Sequence, residues 1–397
     1  MTVRRLSLTA YLAMTSAWTA RPQQLLPKRG TGPLIWVHAE GGETGRMTAN
    51  FCARLRLHRP EIVFCQSGDM PDLPDALRLP VPPEHPAECA RVLASLRPDI
   101  VLWNASYLKP ALLHAMHKAG ACLIGVEPLG RGWYAPMLRW LPDPTPATLA
   151  LFDHVLCDDP AQKQRLGLDP ERLHPGGLLL SAPPPPPDNS SAHEEIAQLL
   201  AGRPLWLAAH LDEAEAKTVL SAHRQATRLA HRLLLVVLPA DEDAAAGIAG
   251  ISAKSGLRLC RWDQGEMPDE NTQLVLLDGP EEAGLWFRLA PLSFLGGSLS
   301  PGATGHDPYP AASLGTAILY GSHVGAHLEA YSRLVHAGAA RIVRDASSLA
   351  AAVTHLIAPD QAAQMALAGW DVVSSGAQSV DLLMGLIFDA LDEKGAT

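Results

Sequence analysis

Two stretches of the chain carry side chains whose types and spacing can do chemistry. The first, His38-Ala39-Glu40-Gly41-Gly42-Glu43-Thr44-Gly45, sets two carboxylates around a Gly-Gly pair. A carboxylate exposed on such a turn, within reach of an incoming hydroxyl, can take its proton as a general base. Glu43 stands at the head of a helical pattern running from Thr44 to His58, so its other role is to complement a helix dipole, and composition alone favours that role. Glu40 is a second acid in the same turn, and nothing local chooses between the two. The second stretch runs from Leu295 to Pro308. Its Gly296, Gly297, Gly302 and Gly305 let backbone approach a ligand closely, and a helical pattern over Asp307 to Leu314 would turn free amides toward an anion. His306 would add a donor and Ser298 a hydroxyl. The plain alternative is a turn-rich connection. His38, at an apolar strand end, reads as a buried histidine with its bonds satisfied.

These loops need strands to hold them. From Leu34 onward, short leucine-rich and β-branched runs alternate with helical patterns, the form of a parallel sheet covered on both faces. The first half carries candidate strands at Leu34–His38, Glu61–Cys65, Asp99–Trp103, Ala121–Val126 and His154–Cys157. The second carries them at Leu205–Ala209, Leu233–Leu238, Leu257–Trp262, Gln273–Leu277, Leu292–Leu295, Ala317–Tyr320 and Arg341–Val343. Between the halves, the prolines from Pro183 to Pro187 favour a stiff extended segment. The expected organisation is an amino-terminal basic segment over residues 1–30, a Rossmann-like domain over 31–182, a proline-rich linker over 183–190 and a second Rossmann-like domain over 191–397. An apolar helical stripe from Val380 to Leu391 is expected to pack on a domain, with the terminal helix able to cross back. Ligands of open parallel sheets bind at the carboxyl ends of strands, which places the site in an interdomain cleft between two facing sheets.

Composition narrows the partners. The chain has 397 residues, 47% of them apolar, enough for two or three cores. Its net charge of −9 argues against a general nucleic-acid binder. The six cysteines form no Cys-x-x-Cys pair, so neither a disulfide framework nor a structural zinc site is expected, and a reducing compartment fits. Residues 1–39 hold five cations and no acid. The apolar run from Leu6 to Trp18 beside Arg4 and Arg5 has three readings: a helix lying in an anionic lipid interface, a secretory signal, or an ordinary first helix packed on its own domain.

Several segments, in order along most of the chain, resemble the 3-deoxy-D-manno-octulosonic acid (Kdo) transferases. Ile35-Trp36-Val37-His38-Ala39 with Gly42-Glu43-Thr44 is similar to the family's Trp-x-His-Ala strand and Ser-Val-Gly-Glu turn. Gly202-Arg203-Pro204-Leu205-Trp206-Leu207-Ala208 resembles the opening of its second domain. Phe294-Leu295-Gly296-Gly297-Ser298-Leu299, then Gly305-His306-Asp307-Pro308 and Tyr320-Gly321-Ser322-His323, resemble Phe-Val-Gly-Gly-Ser-Leu, Gly-Gly-His-Asn-Pro and Gly-Pro-His. The resemblance implies an α/β fold of the GT-B type and a glycosyltransferase of lipopolysaccharide biosynthesis. It implies Glu43 as the base, acceptor contacts at Gly41, Gly42 and Thr44, and donor contacts at Gly296, Gly297, Ser298, Gly305, His306, Asp307, Ser322 and His323. The implied partners are a CMP-activated sugar donor and a lipid A precursor, with inversion, no metal and no cofactor. Residence would be peripheral, at the cytoplasmic face of the inner membrane.

The chain departs from the family at four places. Asn104-Ala105-Ser106-Tyr107-Leu108-Lys109-Pro110 replaces Glu-Thr-Glu-Leu-Trp-Pro-Asn, and Pro239-Ala240-Asp241 replaces Pro-Arg-His. Glu281-Glu282-Ala283-Gly284-Leu285 replaces Met-Gly-Glu-Leu. His306-Asp307-Pro308-Tyr309-Pro310-Ala311 lacks the acid that would meet the ribose. A second class of function is therefore a GT-B paralogue that has lost catalysis and acts as a binding or regulatory module. A nucleotide-sugar epimerase is a third, with poorer support from the matched segments.

Overall fold

Strand-length apolar runs separated by helical stretches have few ways to bury both faces, and in the computed structural model they form two parallel sheets. The structure describes residues 2–18, 29–127, 132–135, 143–157, 159, 168–177, 179–180, 190–200, 202–277, 279 and 282–395. The chain divides into two units, one made of Met1–Ser181 with Ser375–Thr397 and the other of Ala182–Ser374.

In the first unit the strands are β1 (Leu34–Ala39), β2 (Val63–Gly68), β3 (Leu77–Arg78), β4 (Ile100–Asn104), β5 (Cys122–Val126), β6 (His154–Cys157) and β7 (Leu173–Pro175). They pair in parallel in the order β3-β2-β1-β4-β5-β6-β7. The helices are α1 (Thr2–Thr15), α2 (Glu43–His58), α3 (Pro86–Leu96), α4 (Pro110–Lys118) and α5 (Thr145–Leu149). Every residue of β1 is buried: Leu34 and Trp36 join one core cluster with Trp103 and Leu112, while Ile35 and Val37 join another with Phe51 and Leu55.

The second unit has β8 (Leu205–Leu211), β9 (Leu234–Pro239), β10 (Leu259–Arg261), β11 (Leu274–Leu276), β12 (Leu292–Leu295), β13 (Ala317–Tyr320) and β14 (Ala340–Ile342). Their order is β10-β11-β9-β8-β12-β13-β14, again parallel. Its helices are α6 (Ser190–Leu200), α7 (Glu213–Ala226), α8 (Glu242–Lys254), α9 (Ala283–Leu289), α10 (Tyr309–Ser313), α11 (Leu328–His336) and α12 (Ala346–Leu356); α13 (Pro359–Gly395) ends the chain. In each sheet the first strand has its next strand on one side and a later one on the other. The order therefore switches between β1 and β4, and between β8 and β12. Ligands of such sheets bind at the carboxyl ends of the strands beside the switch.

The expected strands are present with shifted ends. β3 and β7 are additional, and at two and three residues they are too short to show a period. The helix expected over Asp307 to Leu314 is shortened to α10, with Pro308 as its N-cap, Pro310 in its first turn and Leu314 as its C-cap. Residues 375–397 count with the first unit instead of extending the second. Their stripe of Val380, Leu383, Met384, Ile387 and Leu391 is buried in the cluster that holds Ile35, Val37 and Phe51. The prolines 183–187 lie outside the described residues.

At the amino terminus α1 uses its apolar face within the first unit. Leu8 and Tyr11 are buried, α1 lies against α4 and α5, and the Tyr11 hydroxyl donates to Glu84 Oε2 at 3.1 Å. The same oxygen accepts the Ala111 amide at 3.0 Å. Of the three readings of this run, the packed helix is the one the structure shows for residues 2–15. Met14 and Trp18 remain exposed. No helix among the described residues is long and apolar enough to cross a membrane.

Removing the Tyr11 hydroxyl as Tyr11→Phe should lower stability by about 1 kcal/mol, the net worth of a buried hydrogen bond, and Tyr11→Ala by about 3 to 5 kcal/mol. Urea unfolding measures both; an unchanged Tyr11→Ala midpoint would show that α1 does not pack there. A second expectation concerns acid. Burial holds three histidines well below their ordinary range, His38 at about 3 and His210 and His223 at about 4. Unfolded, each binds a proton near pH 6.5. Their contribution is thus complete above about pH 6.5 and is lost toward pH 4, each at up to about 1.4 kcal/mol per pH unit. Urea midpoints should fall steadily from pH 7 to pH 5, and a flat profile would contradict neutral burial.

Candidate functional site

In the first unit the polar groups gather where β1 and β4 end. Glu40 follows β1, and its Oε2 accepts the Ser106 amide at 2.9 Å and the Ser106 hydroxyl at 2.6 Å, tying it to the loop after β4. That leaves Glu43 as the acid of this turn that is not committed to Ser106. Glu43 is the first residue of α2 and only 7% exposed, which corrects the expectation of an acid standing out on a loop. The cause is close packing of the turn. A Cβ at Gly41 would meet Asp69 Oδ2 at 2.3 Å, and one at Gly45 would meet the Asp69 carbonyl at 2.7 Å. Gly42, at φ 74°, supplies the left-handed step into the helix. The Thr44 carbonyl accepts Thr48 Oγ1 at 2.8 Å, and that hydroxyl accepts Asn104 Nδ2 at 2.9 Å, so the first turn of α2 is pinned to the end of β4.

Behind this turn His38 is fully buried and satisfied. Its Nδ1 meets Ser67 Oγ at 2.9 Å and its Nε2 meets the Tyr107 hydroxyl at 2.9 Å, while its ring stacks on Trp103 at 4.0 Å. Ser67 Oγ also accepts the Trp36 indole N–H at 2.8 Å. Burial, then the nearby carboxylates Glu40 and Asp69 among others, raises the Tyr107 hydroxyl above its ordinary range. Asn104 and Ser106 stand where the resembled family has acids, and neither the pairing of Ser106 with Glu40 nor that of Tyr107 with His38 could be read from the residue pattern. A cavity of about 620 Å³ lined by His117, Cys122, Asp153, His154, Arg172 and Lys394 lies at the opposite, amino ends of β5 and β6. It contains none of the candidate residues.

In the second unit the structure brings most of the expected residues together at the ends of β8, β12 and β13. The Gly305 amide donates to the Gly297 carbonyl at 2.9 Å, the His323 amide to the Ser298 carbonyl at 2.8 Å, and the Gly321 amide to Ser298 Oγ at 2.8 Å. Ser298 is fully buried and gives its own hydroxyl proton to the Leu295 carbonyl at 2.6 Å, so it offers none to a ligand. The glycines make room for the protein itself. A Cβ at Gly296 would meet the His210 carbonyl at 2.6 Å, one at Gly297 the His306 ring at 3.1 Å, and one at Gly305 Val324 at 2.9 Å. Asp307 is exposed and its Oδ1 accepts the Tyr309 amide at 3.0 Å, a loop-holding bond. Ser322 Oγ is 3.3 Å from His323 Nδ1.

The amides expected to cradle a phosphate are already occupied. Glu215, in the first turn of α7 and 1% exposed, accepts the Gly297 amide through Oε2 at 2.8 Å. Its Oε1 accepts the amides of Ser298 at 2.8 Å, Ser300 at 3.1 Å and Leu299. Successive N–H groups form an anion-binding concavity, and here the anion is a side chain. The sequence hides this because Asp212-x-x-Glu215 reads as the start of a helix; Asp212 is indeed the N-cap, its Oδ1 accepting the Glu215 amide at 2.8 Å. Asp241, in the segment replacing Pro-Arg-His, likewise caps α8.

Replacing Glu215 by Ala leaves four buried donors without their acceptor and should cost about 3 kcal/mol or more. Formate or acetate at tens of millimolar should restore part of the lost thermal stability, whereas chloride should restore less. Equal effects of all three anions would mean that the loop does not depend on a carboxylate.

No family model matches the chain. It is 27% identical over 187 residues to 3-deoxy-D-manno-octulosonic acid transferase of Haemophilus influenzae, covering 47% of this chain and 44% of that one. It is 24% identical over 334 residues to the probable mitochondrial 3-deoxy-D-manno-octulosonic acid transferase of Arabidopsis thaliana, covering 78% of this chain and 73% of the relative. The match thus spans less than half of the bacterial relative. Among solved structures, MurG of Acinetobacter baumannii aligns with 88% of this chain and 99% of its own at a TM-score of 0.50 and 13% identity, a likeness of fold. With its two seven-stranded parallel sheets, the chain has the GT-B fold and is a divergent relative of the 3-deoxy-D-manno-octulosonic acid transferases.

Proposed function

We propose that the protein is a glycosyltransferase that moves Kdo or a related sugar from a CMP-activated donor to a lipid A precursor. The observation that supports it most is the position of Glu43. It follows Gly41-Gly42 at the carboxyl end of β1, beside the switch to β4, in a chain similar to Kdo transferases. In this reading Glu43 takes the proton of the acceptor hydroxyl. The freed oxygen pair forms the new bond to the anomeric carbon from the face opposite the leaving group, and the bond to the CMP phosphate breaks with its electrons going to CMP. The configuration inverts, and the scheme calls for no metal. Gly41, Gly42 and Thr44 line the acceptor side. Gly296, Gly297, Ser298, Gly305, His306, Asp307, Ser322 and His323 belong to the donor half, with Ser298 and the glycines shaping the loop from within. Peripheral contact with the cytoplasmic face of the inner membrane falls to Arg21 and Lys28 and the exposed Met14 and Trp18, since Leu8 and Tyr11 are used inside the unit and Arg29 pairs with Asp99 at 2.7 Å.

The filled amide concavity favours a second reading, a GT-B module that binds a ligand without turnover. Glu43→Gln separates the two. It keeps the size of the side chain and removes the proton acceptor, so turnover should fall roughly 100- to 10,000-fold with CMP binding unchanged. CMP at 100 times its dissociation constant should add about 2.7 kcal/mol to the stability of both forms. Binding of CMP by a wild-type protein that shows no transfer to a lipid A precursor would establish the second reading.

A further inference from the structure

If Glu215 holds the loop amides, an anionic ligand of the second unit must find other donors. Two imidazoles stand at the switch point with that capacity. His210 is the half-buried penultimate residue of β8, and His306 lies over Gly297; their rings stack at 4.5 Å with 20° between planes. Among the described residues, neither ring takes part in a hydrogen bond. His210 also holds a backbone conformation that non-glycine residues rarely adopt, φ 54°, where the pairing of β8 with β9 slips between Ala208 and Leu211. A left-handed residue with a bulky side chain is costly, and such strain marks places where a side chain is held for a purpose. Here it sets the His210 ring against His306, while the carbonyl of the same residue packs on Gly296.

We propose that the stacked His210–His306 pair is the oxyanion-recognition element of the second unit, binding the phosphate of a nucleotide-linked donor in place of the loop amides. This rests on the donor reading above and names the residues that would carry it. The groups facing the pair fit an anion that brings its own countercharge. His306 is lowered from its ordinary range by burial first and by His327 second, with Asp212 opposing; His210 is lowered to about 4 by burial and then by His306. Asp212 is committed to the first turn of α7, and Phe287 is the apolar neighbour of His210 at 6.4 Å between ring centroids. Empty, the pair is neutral at pH 7. A phosphate favours the protonated form of each ring, so binding draws in protons and tightens as the pH falls.

Titration calorimetry of the full chain with CMP and, separately, with inorganic pyrophosphate tests this. The wild type should bind CMP more tightly at pH 6.5 than at pH 8 and take up protons, seen as heats that vary with buffer. His210→Asn and His306→Asn should each weaken binding about 10- to 100-fold, the worth of a charge-assisted hydrogen bond, and should flatten the pH dependence. Asn tolerates the left-handed backbone, so His210→Asn should keep the wild-type melting temperature to within a few degrees. His210→Gly, free of strain at that φ, gives a second fold-preserving variant. CMP binding that is unchanged in both Asn variants overturns the proposal and leaves the donor reading standing. Binding of pyrophosphate, lost in both variants, without binding of CMP supports the histidine site and overturns the nucleotide donor. Binding of neither ligand by the wild type overturns both.

Discussion

A single carboxylate organises the second unit's switch point. Glu215 is all but inaccessible to solvent and accepts four consecutive backbone N–H groups, Gly297 through Ser300. Buried amides must be paired, and a loop with φ 61° at Gly297 cannot pair them within a regular ladder. Once the carboxylate takes them, the rest of the loop follows. Ser298 is drawn inside and bonds Leu295 and Gly321, Gly305 reaches Gly297, and His306 closes over the glycine that leaves it space. The glycines are needed because the protein's own atoms press on them.

How far the sequence alone reached follows from the range of the forces involved. The parallel sheets were legible because a strand buried on both faces must be apolar throughout, as Leu34–Ala39 and Leu292–Leu295 are. The start of α2 at Glu43 was legible to within one residue, since a glycine pair precedes it. Two-residue β3 carries no period to read. The side-chain partnerships were out of reach for another reason. Glu215 and Gly297 are 82 positions apart, and Glu40 and Ser106 are 66 apart, so only the sheet order brings them together. A Gly-rich loop followed by a short helix reads as an anion site whether its anion is a ligand or a glutamate. The apolar run of α1 shows the same degeneracy: Leu8 and Tyr11 suit a lipid interface as well as they suit α4 and α5.

The two units solve one structural problem in the same way. Each sheet reverses its order beside its first strand, and the loops on either side of the reversal diverge unless something joins them. In the first unit Glu40, just after β1, accepts the amide and hydroxyl of Ser106 just after β4. In the second, Glu215, four residues past β8, accepts the amides just after β12. Both joints use an acid from the first-strand side and backbone donors from the far side. Such a joint lies where a ligand would bind, and an acid or an amide cluster there looks functional in the sequence. Setting the joints aside changes which groups remain for chemistry. In the first unit the other acid of the turn, Glu43, stands at the head of α2. In the second, two imidazoles stand beside the loop, His210 held at a strained backbone and His306 stacked on it. Backbone amides do not titrate, so recognition through them would add no protein proton to the binding of an anion. Recognition through paired histidines, as proposed above, would couple binding to the protonation of the rings, whereas the amides of this loop are already paired with Glu215.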